Sequence, residues 1–169
     1  MPQSPGMAGY RIREARPADS LALTEALVEA ANWDPDRTSP RVSVLADPVR
    51  RRYIAGWQRP GDAGFVAEDA TGEPVAAGWY RVFSADRPGL GFVASGVPEL
   101  ILGVRPVWRA QGVGRSILQH LVRRAEADGH TRISLSVQRG NFAQRLYLSE
   151  GFVTVEQRAD ADVMVRTFL

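Results

Sequence analysis

The sequence contains no cysteine and no lysine among its 169 residues. Without cysteine there are no disulfides, thiolate zinc sites, iron–sulfur clusters or cysteine nucleophile. Without lysine there is no P-loop, no Schiff base and no pyridoxal-phosphate enzyme. Two histidines, His120 and His130, are too few for a multi-histidine metal site, so no metal is expected. No apolar run approaches the ~20 residues of a membrane span. All 21 basic residues are arginine, set against 19 carboxylates for a net charge of +2. That balance gives little reason to expect nucleic acid or an anionic membrane as a partner. Residues 1–9 are rich in proline, glycine and serine without an apolar run, which predicts a disordered tail rather than a secretory leader. A cytoplasmic location is the default expectation.

What remains is an ordinary globular composition, 44% hydrophobic and 24% charged. The length corresponds to one domain over residues 10–169. Alternation predicts a first strand at Tyr10–Glu14. Asp19 or Ser20 is placed to cap a helix through Ala31, with Leu23, Leu27, Ala30 and Ala31 on one face. Residues 32–41 read as a loop. Asp47 and Pro48 read as the cap and first residue of a short helix running to about Gly56. Strands are predicted at Gly64–Asp69 and Val75–Phe83, joined as a hairpin through residues 70–73, and at Val97–Val104, where Gly103 interrupts the run. The longest helical pattern spans Gly112 to Asp128, with Ile117, Leu118, Leu121, Val122 and Ala125 in one stripe and Gly129 at the C-cap. A strand at Arg132–Val137, a helix at Phe142–Glu150 and a hairpin of Val153–Gln157 with Asp162–Phe168 complete the chain. This order predicts an α/β (α+β) fold, a mixed seven-stranded sheet with about four helices packed on it.

The strand ending at Val104 leads through Arg105-Pro106-Val107-Trp108 into Arg109-Ala110-Gln111-Gly112-Val113-Gly114-Arg115-Ser116 and then directly into the longest helix. Glycines at a helix mouth let backbone N–H groups approach an anion, where unpaired donors and the helix dipole favour negative charge. The same glycines also suit a tight strand-to-helix turn with no ligand. A dinucleotide fingerprint is disfavoured, because its third glycine would fall on Ile117 and the motif is not in the first strand–helix unit.

Val104-x-Pro106-x-x-Arg109-x-x-Gly112-x-Gly114, opening a helix, resembles the pyrophosphate loop of the GNAT superfamily of acyl-CoA-dependent N-acetyltransferases. Leu135-x-Val137-x-x-x-Asn141-x-Ala143-x-x-Leu146-Tyr147-x-x-x-Gly151-Phe152 is similar to the family's fifth strand, following helix and entry into the sixth strand. The match extends over Pro98–Phe152, and the rest of the chain agrees in element order. The resemblance implies a sheet splayed between strands 4 and 5, with acetyl-CoA as co-substrate in the gap and its pantetheine along Leu102, Gly103 and Val104. It implies that the backbone N–H groups of Gln111, Gly112, Val113, Gly114, Arg115 and Ser116 hold the pyrophosphate, with charge added by Arg109. Ala110 stands where the family often has glycine. Alanine at positive φ would cost about 1 kcal/mol, so an αR-type turn is expected there. Gly103 itself reads as a bulge, a close backbone approach or a local irregularity.

By the same resemblance Tyr147 is the acid that protonates the departing thiolate. From spacing alone it reads as a core tyrosine beside Phe142 and Leu146. Asn141 is placed to cap its helix, and the resemblance adds contact with the cofactor's amides. Glu99, at the start of the fourth strand, is the candidate base; its other reading is a strand-end surface carboxylate. Trp33, Trp57, Trp79, Tyr80 and Phe83 cluster near the implied acceptor region, mostly as core. The run Arg50-Arg51-Arg52 reads as a solvated helix face. The implied activity is acetyl transfer to a primary amine of a small molecule or peptide by direct attack in a ternary complex, in a family whose members are often homodimers. The alternative is a non-catalytic acyl-CoA-binding sensor or interaction module.

Overall fold

The computed structural model describes residues 9–168, so the expected tail lies, apart from Gly9, outside the described residues. Seven strands form one mixed sheet in the order β1-β2-β3-β4-β5-β7-β6. They are β1 Tyr10–Glu14, β2 Ala63–Asp69, β3 Pro74–Val82, β4 Pro98–Val104, β5 Arg132–Gln138, β6 Val153–Gln157 and β7 Ala161–Thr167. Among the described residues five helices accompany them: α1 Ser20–Ala31, α2 Arg41–Ala46, α3 Pro48–Arg51, α4 Val113–Ala127 and α5 Ala143–Ser149. Short 3-10 turns occupy Pro17–Asp19 and Pro106–Trp108. Among the described residues, no helix is long and apolar enough to cross a membrane.

Each face of the sheet carries its own core. On one side α4 lays Ile117, Leu118, Leu121, Val122 and Ala125 against Ala76, Tyr80, Leu100 and Leu135, and the predicted stripe is buried throughout. At about 1.5–3 kcal/mol per large buried aliphatic side chain, this stripe anchors the helix. On the other side α1 packs Leu23, Ala26 and Leu27 against Val66, Ala77 and Trp79. Because both faces are covered, β3 is buried almost end to end and reads as a continuous apolar run rather than an alternating one. Alternation places Trp79 and Arg81 on the α1 face, and cross-strand pairing sets Arg81 opposite Glu99.

The sheet opens at its centre. β3 and β4 pair along their whole length, whereas β4 and β5, the parallel pair, register only where Glu99 meets Ser134. Gly103 has a packing cause. A Cβ there would lie 1.9 Å from the carbonyl oxygen of Ala26, so α1 crosses β4 in backbone contact and no larger residue fits. The β3–β4 register runs through Gly103 without a shift, which identifies a close approach rather than a bulge.

The helices depart from expectation in four places. The helix count is five rather than about four, because Arg41–Ala46 forms a helix where no element was predicted; six residues with one buried side chain, Val44, carry too little periodicity to read. The helix capped by Asp47 ends at Arg51 and continues as turns, although Asp47 does accept the Val49 and Arg50 N–H groups as predicted. Asp19 does not cap α1, since its carboxylate pairs with Arg13 at 2.8 Å and accepts the Arg16 N–H at 2.6 Å. Finally, the buried face of α1 is Leu23, Ala26, Leu27 and Val28; Ala30 and Ala31 reach the open gap between β4 and β5.

Candidate active site

A cavity of about 690 Å³ fills the gap between β4 and β5. Its walls are the edges of the two parted strands, the C-terminal end of α1, the turn before α4, the start of α5, and Tyr53 with Leu90. The lining includes Glu99, Leu102, Gly103, Val104, Arg109, Ala110, Gly112, Val113, Gly114, Arg115, Asn141 and Tyr147. Gln111 and Ser116 are outside it. The Gln111 amide instead reaches back to the Val107 carbonyl at 2.8 Å.

One wall is made of backbone. Gly112 caps α4 at φ +87°, and an added Cβ would meet no atom within 4 Å. A Cβ on Gly114 would make only ordinary contacts, so packing within the protein does not demand glycine at either position. Space left in front of bare backbone at the start of a 15-residue helix suits an anion. The Ser116 N–H is already spent on the Gly112 carbonyl at 3.1 Å, so the donors available at this helix start end at Arg115 rather than Ser116. Ala110 overturns the expected αR turn: its φ is +61°, the left-handed region that costs an L-residue about 1–2 kcal/mol.

The two flanking arginines are engaged. Arg109 donates to the Val104 carbonyl at 3.1 Å and pairs with Glu29 at 3.3 Å, tying the turn to the end of α1. Arg115 pairs with Glu150 at 2.7 Å, and Gln119 reaches the same carboxylate oxygen, tying α4 to the end of α5. Their positive charge is partly offset by these carboxylates, which leaves backbone N–H groups as the main feature of this wall.

Tyr147 is presented by local sequence. Past α5, Gly151 adopts φ +89°; the Gly151 N–H bonds to Leu148 and the Phe152 N–H to the Tyr147 carbonyl at 3.0 Å. That is a Schellman ending, and the Phe152 ring packs edge-on to Tyr147 with centroids 5.9 Å apart. The Gly-Phe pair thus ends the helix and supports the tyrosine. At the other end of α5 the N-cap position is Phe142 rather than Asn141, and Asn141, one residue earlier, accepts the Ala143 N–H at 2.9 Å in the turn that leads into the helix. Burial alone raises the Tyr147 phenol above the ordinary tyrosine range, which keeps it protonated near neutral pH.

The opposite wall is made of side chains. Glu99 is only 2% exposed, so the surface-carboxylate reading is set aside. Its Oε2 accepts the Tyr53 hydroxyl and the Gly91 N–H, the latter at 3.0 Å, while Oε1 is buried without a hydrogen-bond partner. Burial pushes the Glu99 carboxyl up to about 7, against the downward pull of these two donors. Tyr53 was not singled out from sequence. It lies 46 residues from Glu99, and only the shared α1 face of the sheet brings the two together. Trp33 also lines the cavity, with its indole N–H on Gln138 at 2.5 Å. Trp79, Tyr80 and Phe83 are core, as expected, and Trp57 donates to the Arg16 carbonyl. Of the arginine run, Arg50 reaches the cavity and Arg52 donates to the Pro88 carbonyl at 2.8 Å.

The sequence model of the acetyltransferase (GNAT) family matches residues 25–152. A mycothiol acetyltransferase of Streptomyces bingchenggensis is 30% identical over 161 residues, covering 94% of this chain and 46% of that protein. The chain therefore spans less than half the length of this curated relative. Among solved structures, an acetyltransferase of Salmonella typhimurium with its cofactor acetyl-CoA superposes with a TM-score of 0.66 at 26% identity, over 94% of both chains. A ribosomal-protein-alanine N-acetyltransferase of Brucella melitensis gives 0.65 at 25% identity, over 93% of this chain and 99% of that one. An N-acetyltransferase of Thermoplasma acidophilum in complex with coenzyme A shares the fold at 15% identity, with a TM-score of 0.68 over 94% and 99% of the two chains. The parted β4–β5 pair, the glycine-led α4 and the match over most of the sequence converge on one conclusion: the chain belongs to the GNAT acetyltransferase family.

Proposed function

We propose that the protein transfers an acetyl group from acetyl-CoA to a primary amine of a small molecule or peptide, by direct attack in a ternary complex. One observation carries this reading: a single cavity joins an open glycine-led helix start, a buried neutral tyrosine and a buried carboxylate. The residues fit an acyl-CoA, because the space before Gly112 and Gly114 is one that a Cβ would occupy and no protein atom needs. The Salmonella typhimurium relative carries acetyl-CoA as its cofactor, which supports the same cofactor here.

When bound, acetyl-CoA supplies a thioester carbonyl open to amine attack and a thiolate leaving group. In this reading the N–H groups of Gly112, Val113, Gly114 and Arg115 hold the diphosphate, where the dipole of α4 adds to them. Arg109 holds the turn against α1 and adds charge nearby. Leu102, Gly103 and Val104 offer the free edge of β4 to the pantetheine amides. Tyr147 keeps a proton at its Oη for the departing sulfur. Glu99, with its carboxyl raised to about 7, is poised to take the proton that an alkylammonium must lose before it attacks. The absence of cysteine disfavours a cysteine acyl-enzyme route.

The test is acceptor-dependent CoA release across amines, aminoglycosides, amino acids and peptides, run beside thermal stabilisation by CoA and acetyl-CoA. Release with a subset of amines is the expected result. Saturable cofactor binding without release on any acceptor would replace this reading with the acyl-CoA sensor.

A further inference from the structure

Glu99 is poorly placed to meet an acceptor directly. Its Oε2 is taken by Tyr53 and the Gly91 N–H, and its Oε1 is fully buried. The loop before β4 closes over Oε1 so tightly that a Cβ on Gly89 would lie 2.3 Å from it. The Tyr53 hydroxyl is the protonic group in contact with this carboxylate, and Tyr53 lines the cavity. That hydroxyl donates to Glu99 and accepts the Leu90 N–H at 2.8 Å.

The backbone beneath Tyr53 is held by side chains of β3. Arg81 donates to the carbonyls of Arg52 and Ala55 at 2.8 and 2.7 Å, and the Trp79 indole N–H donates to the Tyr53 carbonyl at 2.8 Å. Arg81 is itself neutralised by Asp62 at 2.6 Å, with both side chains almost wholly buried. A buried ion pair is a weak source of stability but can fix a unique geometry. Here it fixes the short stretch that carries Tyr53, from the strand position directly opposite Glu99.

We propose that Tyr53 is a proton relay between the acceptor amine and Glu99, and that the Asp62–Arg81 pair positions it. The proposal rests on the reading of Glu99 as the base. The ammonium N–H proton passes to the Tyr53 oxygen as the Tyr53 O–H proton passes to Glu99 Oε2. An ammonium and a carboxylate become a neutral amine and a carboxylic acid, and the phenol is unchanged. Burial and the adjacent Glu99 raise the Tyr53 phenol well above its ordinary range, so it stays protonated and moves protons only in concert. The other charged groups around Glu99 are committed elsewhere: Arg81 to Asp62, and Arg158 of the β6–β7 turn to Glu156 and the Phe92 carbonyl.

Tyr53→Phe removes the hydroxyl and keeps the ring on Phe83, whose centroid is 5.0 Å away. At the alkaline plateau of the pH profile its kcat is expected to fall by about 10²–10⁴-fold. Glu99→Gln should fall as far, and the double variant no further than either single one. Thermal stabilisation by CoA should be unchanged in all three. A Tyr53→Phe protein with normal plateau kcat beside an inactive Glu99→Gln overturns the relay and leaves the base reading standing. Full activity of Glu99→Gln overturns the base reading itself. A further measurement needs no variant: with ring-labelled tyrosine, one of the four tyrosine resonances should titrate near pH 7 with Glu99. No such titration would remove the contact on which the relay depends.

Discussion

The two walls of the cavity are built from different materials. The wall before α4 is contiguous in sequence and made of backbone: a left-handed Ala110, a left-handed Gly112 and the open N–H groups that follow. The wall at Glu99 is made of side chains from distant parts of the chain. Tyr53 comes from the turn after α3; behind it Arg81 and Trp79 of β3 hold its backbone, and the Gly91 N–H from the loop before β4 holds the Glu99 carboxylate. A backbone wall tolerates changes of side chain and is sensitive to changes of φ. A side-chain wall behaves the opposite way, because each truncation leaves a buried partner unsatisfied.

The largest expected effect is at Tyr147 of α5, the proposed acid beside the backbone wall. Tyr147→Phe should lower kcat by about 10²–10⁴-fold with CoA binding unchanged, measured by steady-state kinetics beside a CoA thermal shift. Equal losses in both readouts would make Tyr147 a packing residue. Gly103→Ala tests the α1–β4 contact that underlies both walls. Its Cβ meets backbone 1.9 Å away, so a loss of roughly 3 kcal/mol is expected, read as a melting temperature lower by about 10 °C. A small loss would mean that α1 slides freely on the sheet.

The pH dependence of stability separates the walls without any substrate. The folded-state Glu99 carboxyl, raised to about 7, lies above its unfolded value of 4.5, so the folded protein binds the extra proton. That contribution is whole below pH 4.5 and is lost as pH rises through 7, on the order of 3 kcal/mol over the window. Glu99→Gln should flatten this part of a urea-unfolding series between pH 4.5 and 8, whereas Arg109→Ala should leave its slope intact. In the backbone wall the effects shrink. Arg109→Ala removes a half-exposed ion pair and should weaken CoA binding by about 1 kcal/mol at most, roughly fivefold, by calorimetry. Ala110→Gly should be smallest, raising stability by about 0.5 kcal/mol as relief at positive φ outweighs the added unfolded-state freedom. A destabilised Ala110→Gly protein would contradict the left-handed turn.

The same contrast explains what could be read in advance. The stripe on α4, the Gly129 helix ending and the hairpins depend on contacts within a few residues, and the local pattern contains them. The membership of Glu99 in a buried network was not legible, since its partner is 46 residues away and its neighbour Arg81 is related to it only through strand register. Gly103 was recognisable as a special position, but its cause, the Ala26 carbonyl, belongs to a helix more than 70 residues earlier. Ala110 misled because alanine carries no signal for positive φ; the turn forces that conformation where glycine would have announced it. The helix at Arg41–Ala46 was missed because so short a segment gains its stability from docking Val44 rather than from its own propensity.

The chain by itself determined the seven strands, the long helix with its glycine-led start, and the tyrosine ahead of a Gly-Phe pair, because side-chain alternation, helical periodicity and glycine placement are patterns within short stretches of sequence. Only the tertiary structure decided that Glu99 is buried and that Tyr53 meets its carboxylate in the cavity wall, whereas the parting of β4 and β5 was already implied by the family resemblance. Those outcomes depend on which faces of the sheet α1 and the loops cover, and burial of that kind belongs to the assembled layers rather than to any segment.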